Sequence, residues 1–269
     1  MFFITAADTK FYFFLPYMIG QIERFFPKSK IIVYDLGLEE QEALQLSDWG
    51  VEVKKWHIGP GEPVTDRTYY TRALHKPSML FDALERYKGE SAVYLDADAI
   101  PNMRFRIPKE CDIAVTLASQ YDLDWIEKHP HVEFNGIFNA GVILFSKSDK
   151  RLAFVGEWSD RLEKATPIES DQRILGLMLE KMEGFTRREY NITHNLSVGE
   201  DNLRVRVLEG DVWNLFGMRC SVLAGKDRMP PEDAKVLHFK GNSSHNTADF
   251  RNRIKSGRLD FKTKGVPLC

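Results

Sequence analysis

Ala92-Val93-Tyr94-Leu95-Asp96-Ala97-Asp98 runs four apolar residues straight into two carboxylates set two positions apart. A continuous apolar run of this length fits a strand buried on both faces, as in a largely parallel sheet covered by helices. Ligands gather where such strands end, at the carboxyl edge of an open α/β sheet. Residues two apart in extended chain point to the same side, so Asp96 and Asp98 are able to face one cation. Hard carboxylate oxygens suit Mg²⁺ or Mn²⁺, and such an ion neutralises a diphosphate and stabilises it as a leaving group.

Outward from this stretch, the chain alternates short apolar runs with helical patterns, the rhythm of βαβ units. Residues 2–6 read as an opening strand, 11–25 as a helix, 31–34 as a second strand, 39–48 as a second helix and 51–53 as a short third strand. Gly59-Pro60-Gly61-Glu62-Pro63 then opens a loop that runs to about Thr71, and a loop of that length is usually functional or mobile. A helix over 77–87 carries proline in its first turn, where the missing N–H has no intrahelical partner to lose. Beyond the Asp-x-Asp, buried strands are expected at 111–117 and 139–145, the latter entered through the small residues Asn139-Ala140-Gly141. Amphipathic helices follow at 151–164 and 170–181, the second with Ser170 as N-cap. After Gly184 only 204–208 and 236–239 read as strands. The fold class is α/β, with a Rossmann-like, mostly parallel mixed sheet flanked by helices.

The 269 residues hold 37 Lys and Arg against 39 Asp and Glu, a formal net charge of -2. That balance gives no broad electrostatic footprint for nucleic acid or an anionic membrane, so an anionic ligand has to be met locally. Cys111, Cys220 and Cys269 have no metal-ligand spacing and cannot all pair, which fits a reducing compartment. Met1-Phe2-Phe3-Ile4 has no basic stretch before it and meets Asp8 and Lys10 at once, and no run approaches a membrane span. The expectation is a cytoplasmic protein with no transmembrane segment, built as a single domain over 1–246 and a basic tail over 247–269 that reads as a solvated surface or flexible end.

Five segments taken in order add what no single one carries. Thr5-Ala6-Ala7-Asp8, Tyr94-Leu95-Asp96-Ala97-Asp98, Phe138-Asn139-Ala140-Gly141-Val142, Asp171-Gln172 and Leu237-His238-Phe239-Lys240-Gly241 together resemble the GT-A-fold glycosyltransferases of the glycogenin and lipopolysaccharide galactosyltransferase type, a family 8-like group. The resemblance spans positions from about 3 to 242. It implies a hexosyltransferase that uses a nucleotide-diphosphate sugar, UDP-linked by resemblance, and retains the anomeric configuration. The partners it implies are that donor and an acceptor that is a glycan, a lipid-linked sugar, a protein or a small molecule.

Residue by residue, the resemblance implies that Ala6 and Asp8 contact the base and ribose, and that Asp96, Asp98 and His238 bind Mn²⁺ or Mg²⁺. Ala97 and Ala140 belong to the same donor-binding motifs. An imidazole beside two carboxylates favours Mn²⁺. Arg72, with Lys76 as a second candidate, matches a cation near the donor phosphate and sugar. Asn139 and the pair Asp171-Gln172 match groups that hydrogen-bond the sugar hydroxyls, the pair lying nearest the reacting carbon. Gly241 would let backbone approach the diphosphate. The pattern then breaks. The family places a lysine three residues past that glycine, followed by Pro-Trp, where this chain has Ser244-His245-Asn246, which leaves Lys240, His245 or another loop to supply the phosphate cation.

Two other readings compete. An aspartate-nucleophile phosphatase also opens with an apolar strand and Asp-x-Asp, but Ala99-Ile100 replaces its threonine. Near Gly210-Asp211, Asn214 and Leu215 stand where its second magnesium-binding acid belongs. A catalytically silent nucleotide-sugar-binding or scaffold protein is the second alternative, motivated by the missing lysine near Ser244.

Overall fold

Phe2-Phe3-Ile4-Thr5-Ala6-Ala7 forms β1 (Phe2–Ala7), and its side chains alternate between two apolar cores. Phe2 and Ile4 pack with Ile32, Tyr94 and Ile143 on one face, while Phe3 packs with Val33, Val93 and Leu144 on the other. Burial on both faces is what makes these strands continuous apolar runs. The computed structural model describes residues 1–57, 74–118, 123–124, 127–128, 137–165, 170–187, 189–216, 232–239, 250 and 261–264.

β2 (Lys30–Asp35) lies parallel to β1, and β3 (Glu52–Lys55) parallel to β2. On the other side of β1 comes β4 (Ala92–Leu95), also parallel, with Ile4 opposite Tyr94. β7 (Phe138–Phe145) runs antiparallel to β4 and to β6 (Ile113–Leu117). β9 (Asp201–Leu208) is parallel to β6, and β8 (Thr193–Val198) closes the edge antiparallel to β9. The order is β3-β2-β1-β4-β7-β6-β9-β8, the mostly parallel mixed sheet expected. A second, three-stranded sheet joins β5 (Ala99–Pro101), β11 (Val236–His238) and β10 (Leu215–Phe216), with β11 in the middle.

Helices cover both faces of the large sheet. α2 (Leu15–Phe25) contributes Met18 and Ile22 to one core. α4 (Lys76–Arg86), α5 (Lys150–Glu163) and α6 (Asp171–Leu179) contribute Leu80, Trp158 and Leu175 to the other. Ser170 caps α6 as expected, its hydroxyl accepting from the Arg173 N–H at 3.1 Å. α3 (Glu40–Asp48) begins with a capping box between Glu39 and Glu42.

Three expectations need correction. The helix read over 11–25 is broken into α1 (Thr9–Tyr12) and α2, because Pro16 has no N–H to return to the Tyr12 carbonyl and its ring crowds that group. Strand β8 escapes a reading by apolar runs, since it is an edge strand with only Leu196 and Val198 as buried aliphatics among exposed polar neighbours. Within the segment 247–269, Phe250 and Phe261 are buried, so at those residues the chain is packed rather than solvated. The loop expected from Gly59 to Thr71 lies outside the described residues.

Gly20 shows how that packing is accommodated. A β-carbon there would lie 2.0 Å from the Lys262 carbonyl oxygen. Gln21 Oε1 accepts from the Lys262 N–H at 3.3 Å, and the Lys264 ammonium meets Glu23 at 2.6 Å. The residues 261–264 thus run directly against α2, at a place only glycine permits.

Candidate active site

The Asp-x-Asp sits where β4 ends and the chain turns into β5. The Asp96 N–H donates to the Gly141 carbonyl at 2.8 Å, and the Ala99 N–H returns to the Asp96 carbonyl at 2.8 Å. One residue beyond Asp98, β5 pairs antiparallel with β11, and His238 stands opposite Ala99 in that register. This ladder brings a histidine 140 positions away to the acids. His238 Nε2 lies 3.0 Å from Asp98 Oδ1 and 3.8 Å from Asp96 Oδ2, and one atom from each of the three groups falls within 4.8 Å of the others. Asp98 is 4% exposed and His238 3%.

Carboxylates at such an edge are stabilised by a nearby positive charge. The donor set of two hard oxygens and one imidazole nitrogen fits Mn²⁺ and is compatible with Mg²⁺. The other oxygen of Asp96 is held separately: Tyr94 donates its phenol hydrogen to Asp96 Oδ1 at 2.7 Å, and Lys76 Nζ reaches the same atom at 3.1 Å. One oxygen is thereby anchored while Oδ2 turns toward His238.

Lys76 begins α4 and is buried. Its ammonium lies 2.8 Å from Asp171 Oδ2 and 3.1 Å from Asp96 Oδ1, and it donates to the Ala140 carbonyl at 3.3 Å. Burial alone would push its pKa down, but Asp171 and then Asp96 outweigh it and hold the ammonium well above the usual lysine range. Burial and then the Asp96 charge raise the Tyr94 phenol well above its ordinary value, so it stays a donor. Asp171, first residue of α6, is 6% exposed and gains from the positive end of that helix.

These groups border a cavity of about 140 Å³ whose walls include Ala6, Asp8, Asp96, Ala97, Asp98 and Gln172. Ten of the residues expected from the sequence thus meet in one place: those six, with Lys76 and Asp171 in the cavity wall, Ala140 against Lys76, and His238 against the acids. Asp8 also caps α1, its Oδ1 accepting from the Phe11 N–H at 3.1 Å. Asn139 Oδ1 accepts from the Gly141 N–H at 2.7 Å, a contact inside β7. Arg72, Lys240 and Gly241 lie outside the described residues.

Sequence reasoning missed four contributors. Tyr94 stands two positions before Asp96 in extended chain, so strand alternation could have found it, whereas Lys10 lines the cavity from the first turn of α1 without such a signal. Gly141 has no functional group to mark it, yet its lack of a side chain makes room for His238 and Asp96. Asn214, which bonds His238 Nδ1 at 2.8 Å, carries no local signal at all.

No protein-family model matches the chain, and no curated protein matches it. Solved structures do. The chain is similar over 99% of its length to 98% of the galactosyltransferase LgtC, solved in complex with donor and acceptor sugar analogs, at 17% identity and a TM-score of 0.54. It is similar over 93% of its length to 98% of a glycosyltransferase involved in glycosylation of the major capsid of PBCV-1, at 10% identity and a TM-score of 0.50. It is similar over 98% of its length to 65% of the glycosyltransferase GlyE of Streptococcus pneumoniae, at 15% identity and a TM-score of 0.50. The chain has the GT-A fold these proteins share, of the LgtC kind. Among the described residues no helix is long and apolar enough to cross a membrane.

Proposed function

We propose that this chain is a metal-dependent glycosyltransferase that moves a hexose from a nucleotide-diphosphate sugar, UDP-linked in the first instance, to an acceptor with retention of configuration. The observation that carries this reading is the convergence of Asp96, Asp98 and His238 at the rim of a cavity that also holds Asp8, Lys76 and the Asp171-Gln172 pair. The GT-A fold supports it, since ligands of open α/β sheets sit outside the carboxyl ends of the strands.

Asp96 Oδ2, Asp98 Oδ1 and His238 Nε2 would hold Mn²⁺ or Mg²⁺. A divalent ion there would neutralise the diphosphate as its bond to the sugar breaks. Ala6 and Asp8, at the end of β1, would receive the nucleoside. Glycosyl transfer passes through an oxocarbenium-like state, so negative or dipolar groups must face the sugar. Asp171, Gln172 and Asn139 would supply them, and α6 would orient the first two from one rigid turn. Lys76 would fix the Asp171 and Asp96 carboxylates relative to one another, coupling the sugar side of the cavity to the metal side. Arg72, Lys240 and Gly241 would complete the phosphate environment.

The test is release of nucleoside diphosphate from a panel of nucleotide sugars with and without Mn²⁺, followed by mass detection of transfer to candidate acceptors. The expected result is Mn²⁺-dependent release for at least one donor, abolished in Asp96→Asn and Asp98→Asn. Donor binding with neither release nor transfer would favour the silent binding protein. No binding of any donor would overturn both readings.

A further inference from the structure

His238 can serve a metal through Nε2 only if its single hydrogen resides on Nδ1, and the described residues contain a relay that decides this. The Thr116 hydroxyl has one hydrogen, and the oxygens able to accept it are carbonyls: Asn139 at 3.1 Å and Val142 at 3.5 Å. With its hydrogen turned to the Asn139 carbonyl, the Thr116 oxygen accepts from Asn214 Nδ2 at 3.2 Å. This orients the amide, leaving Asn214 Oδ1 against His238 Nδ1 at 2.8 Å. A carbonyl oxygen can only accept, so Nδ1 carries a hydrogen, and Nε2, 3.0 Å from Asp98 Oδ1, is the nitrogen left to give its lone pair to an ion held there with Asp98 and Asp96.

The scaffold holds this relay rigidly. Asn214 is 5% exposed and sits between α7 (Gly210–Trp213) and β10, its N–H donating to the Gly210 carbonyl at 2.9 Å. The next strand residue but one, Phe216, pairs with His238 itself. Gly210 is pressed on the end of β6 so closely that a β-carbon would lie 2.1 Å from the Leu117 carbonyl oxygen. Thr116 stands where β6 and β7 change register, between the pairs Val115↔Ile143 and Thr116↔Asn139. A register shift beside a site re-aims a side chain, and here the Thr116 hydroxyl at the shift donates to the Asn139 carbonyl.

We propose that Asn214 is a positioning residue of the metal site, with Thr116 as its anchor, selecting the histidine tautomer that makes Nε2 a ligand. The inference rests on the metal reading above. Outer partners that fix a ligand histidine typically contribute about 10 to 100-fold to metal affinity. Affinity for Mn²⁺ alone, without nucleotide, is read from the electron paramagnetic resonance signal of the free aqua ion. Asn214→Leu, similar in size but without an acceptor, is expected to weaken binding by about 10 to 100-fold. Asn214→Asp, which still accepts from Nδ1–H, stays within a few-fold of the unaltered chain. In a His238→Ala background, Asn214→Leu is expected to change nothing further, because its effect runs through the imidazole. Should Asn214→Leu not fold, Thr116→Val carries the same comparison, with a smaller loss in the same direction. Unchanged Mn²⁺ affinity in these variants, or an equal loss with and without His238, would overturn the assignment. Failure of the unaltered chain to bind Mn²⁺ would instead overturn the metal reading, and the positioning role with it.

Discussion

A β-carbon on residue 141 would lie 2.5 Å from Cε1 of His238 and 2.8 Å from Oδ2 of Asp96, so Gly141 and His238 occupy positions that exclude any side chain on the first. The site is assembled against bare backbone, and the Gly141 carbonyl also receives the Asp96 N–H. A larger residue here cannot be absorbed by a flexible tip, because both neighbours are the proposed ligands.

Gly141→Ala is therefore expected to reduce Mn²⁺ affinity by at least about tenfold, with an overpacking cost of about 1 to 3 kcal/mol in stability. Mn²⁺ titration and urea unfolding of the same variant check both halves. Native metal affinity in the alanine variant would contradict the geometry.

Removing the ammonium of Lys76 leaves the Asp171 and Asp96 carboxylates without their shared cation. Breaking a buried pair by deleting one partner costs about 3 to 5 kcal/mol. Lys76→Met is expected to lose that much in urea unfolding, and adding Asp171→Asn should recover part of it. A double variant no more stable than the single one would mean the Lys76 to Asp171 contact is not what the lysine supports.

Arg151 is fully buried with backbone carbonyls as its partners: Glu90, Ser146 at 2.7 Å, Tyr87 at 3.1 Å and Leu84 at 3.3 Å. It ties α5 to the end of α4. Arg151→Met leaves those acceptors short of donors, at a cost of about 1 to 3 kcal/mol for each one left unsatisfied. The expected result is a lowered thermal midpoint with unchanged Mn²⁺ affinity, read by calorimetry and metal titration.

Asp82 gives a pH dependence with a definite sign. Its partial burial alone would raise its pKa, but hydrogen bonds from Lys54 and Tyr34 outweigh that and hold it below the ordinary carboxylate value. A depressed pKa means stability present above the unfolded value, about 4, and lost as pH falls through the folded one. Asp82→Asn should therefore be destabilising at pH 7 and should converge on the unaltered chain as the pH drops below about 4. Urea midpoints across that range check it, and a penalty independent of pH would contradict it.

The apolar run ending in Asp96-Ala97-Asp98 was legible because strand alternation and burial are local: neighbours along the chain decide which way each side chain points. The Ser170 cap is local in the same sense, one hydroxyl serving an N–H three residues on. The break at Pro16 is equally local, since proline removes a donor from the preceding turn. Strand β8 was not legible, because an edge strand with one solvated face has too few apolar residues to stand out.

By itself, then, the sequence determined the α/β rhythm, the buried central strands and two acids on one side of a strand end, all consequences of backbone geometry over a few residues. Resemblance was needed to reach His238, and nothing short of the folded chain reached Asn214, the role of Lys76 between two carboxylates, or the reason residue 141 has no side chain. Those were decided by tertiary structure, because they depend on pairing between β5 and β11, on a register shift between β6 and β7, and on where α4 and α6 pack against the sheet. The first of these brings Asp98 against His238, 140 positions away, and no periodicity in the chain encodes where two distant strands will meet.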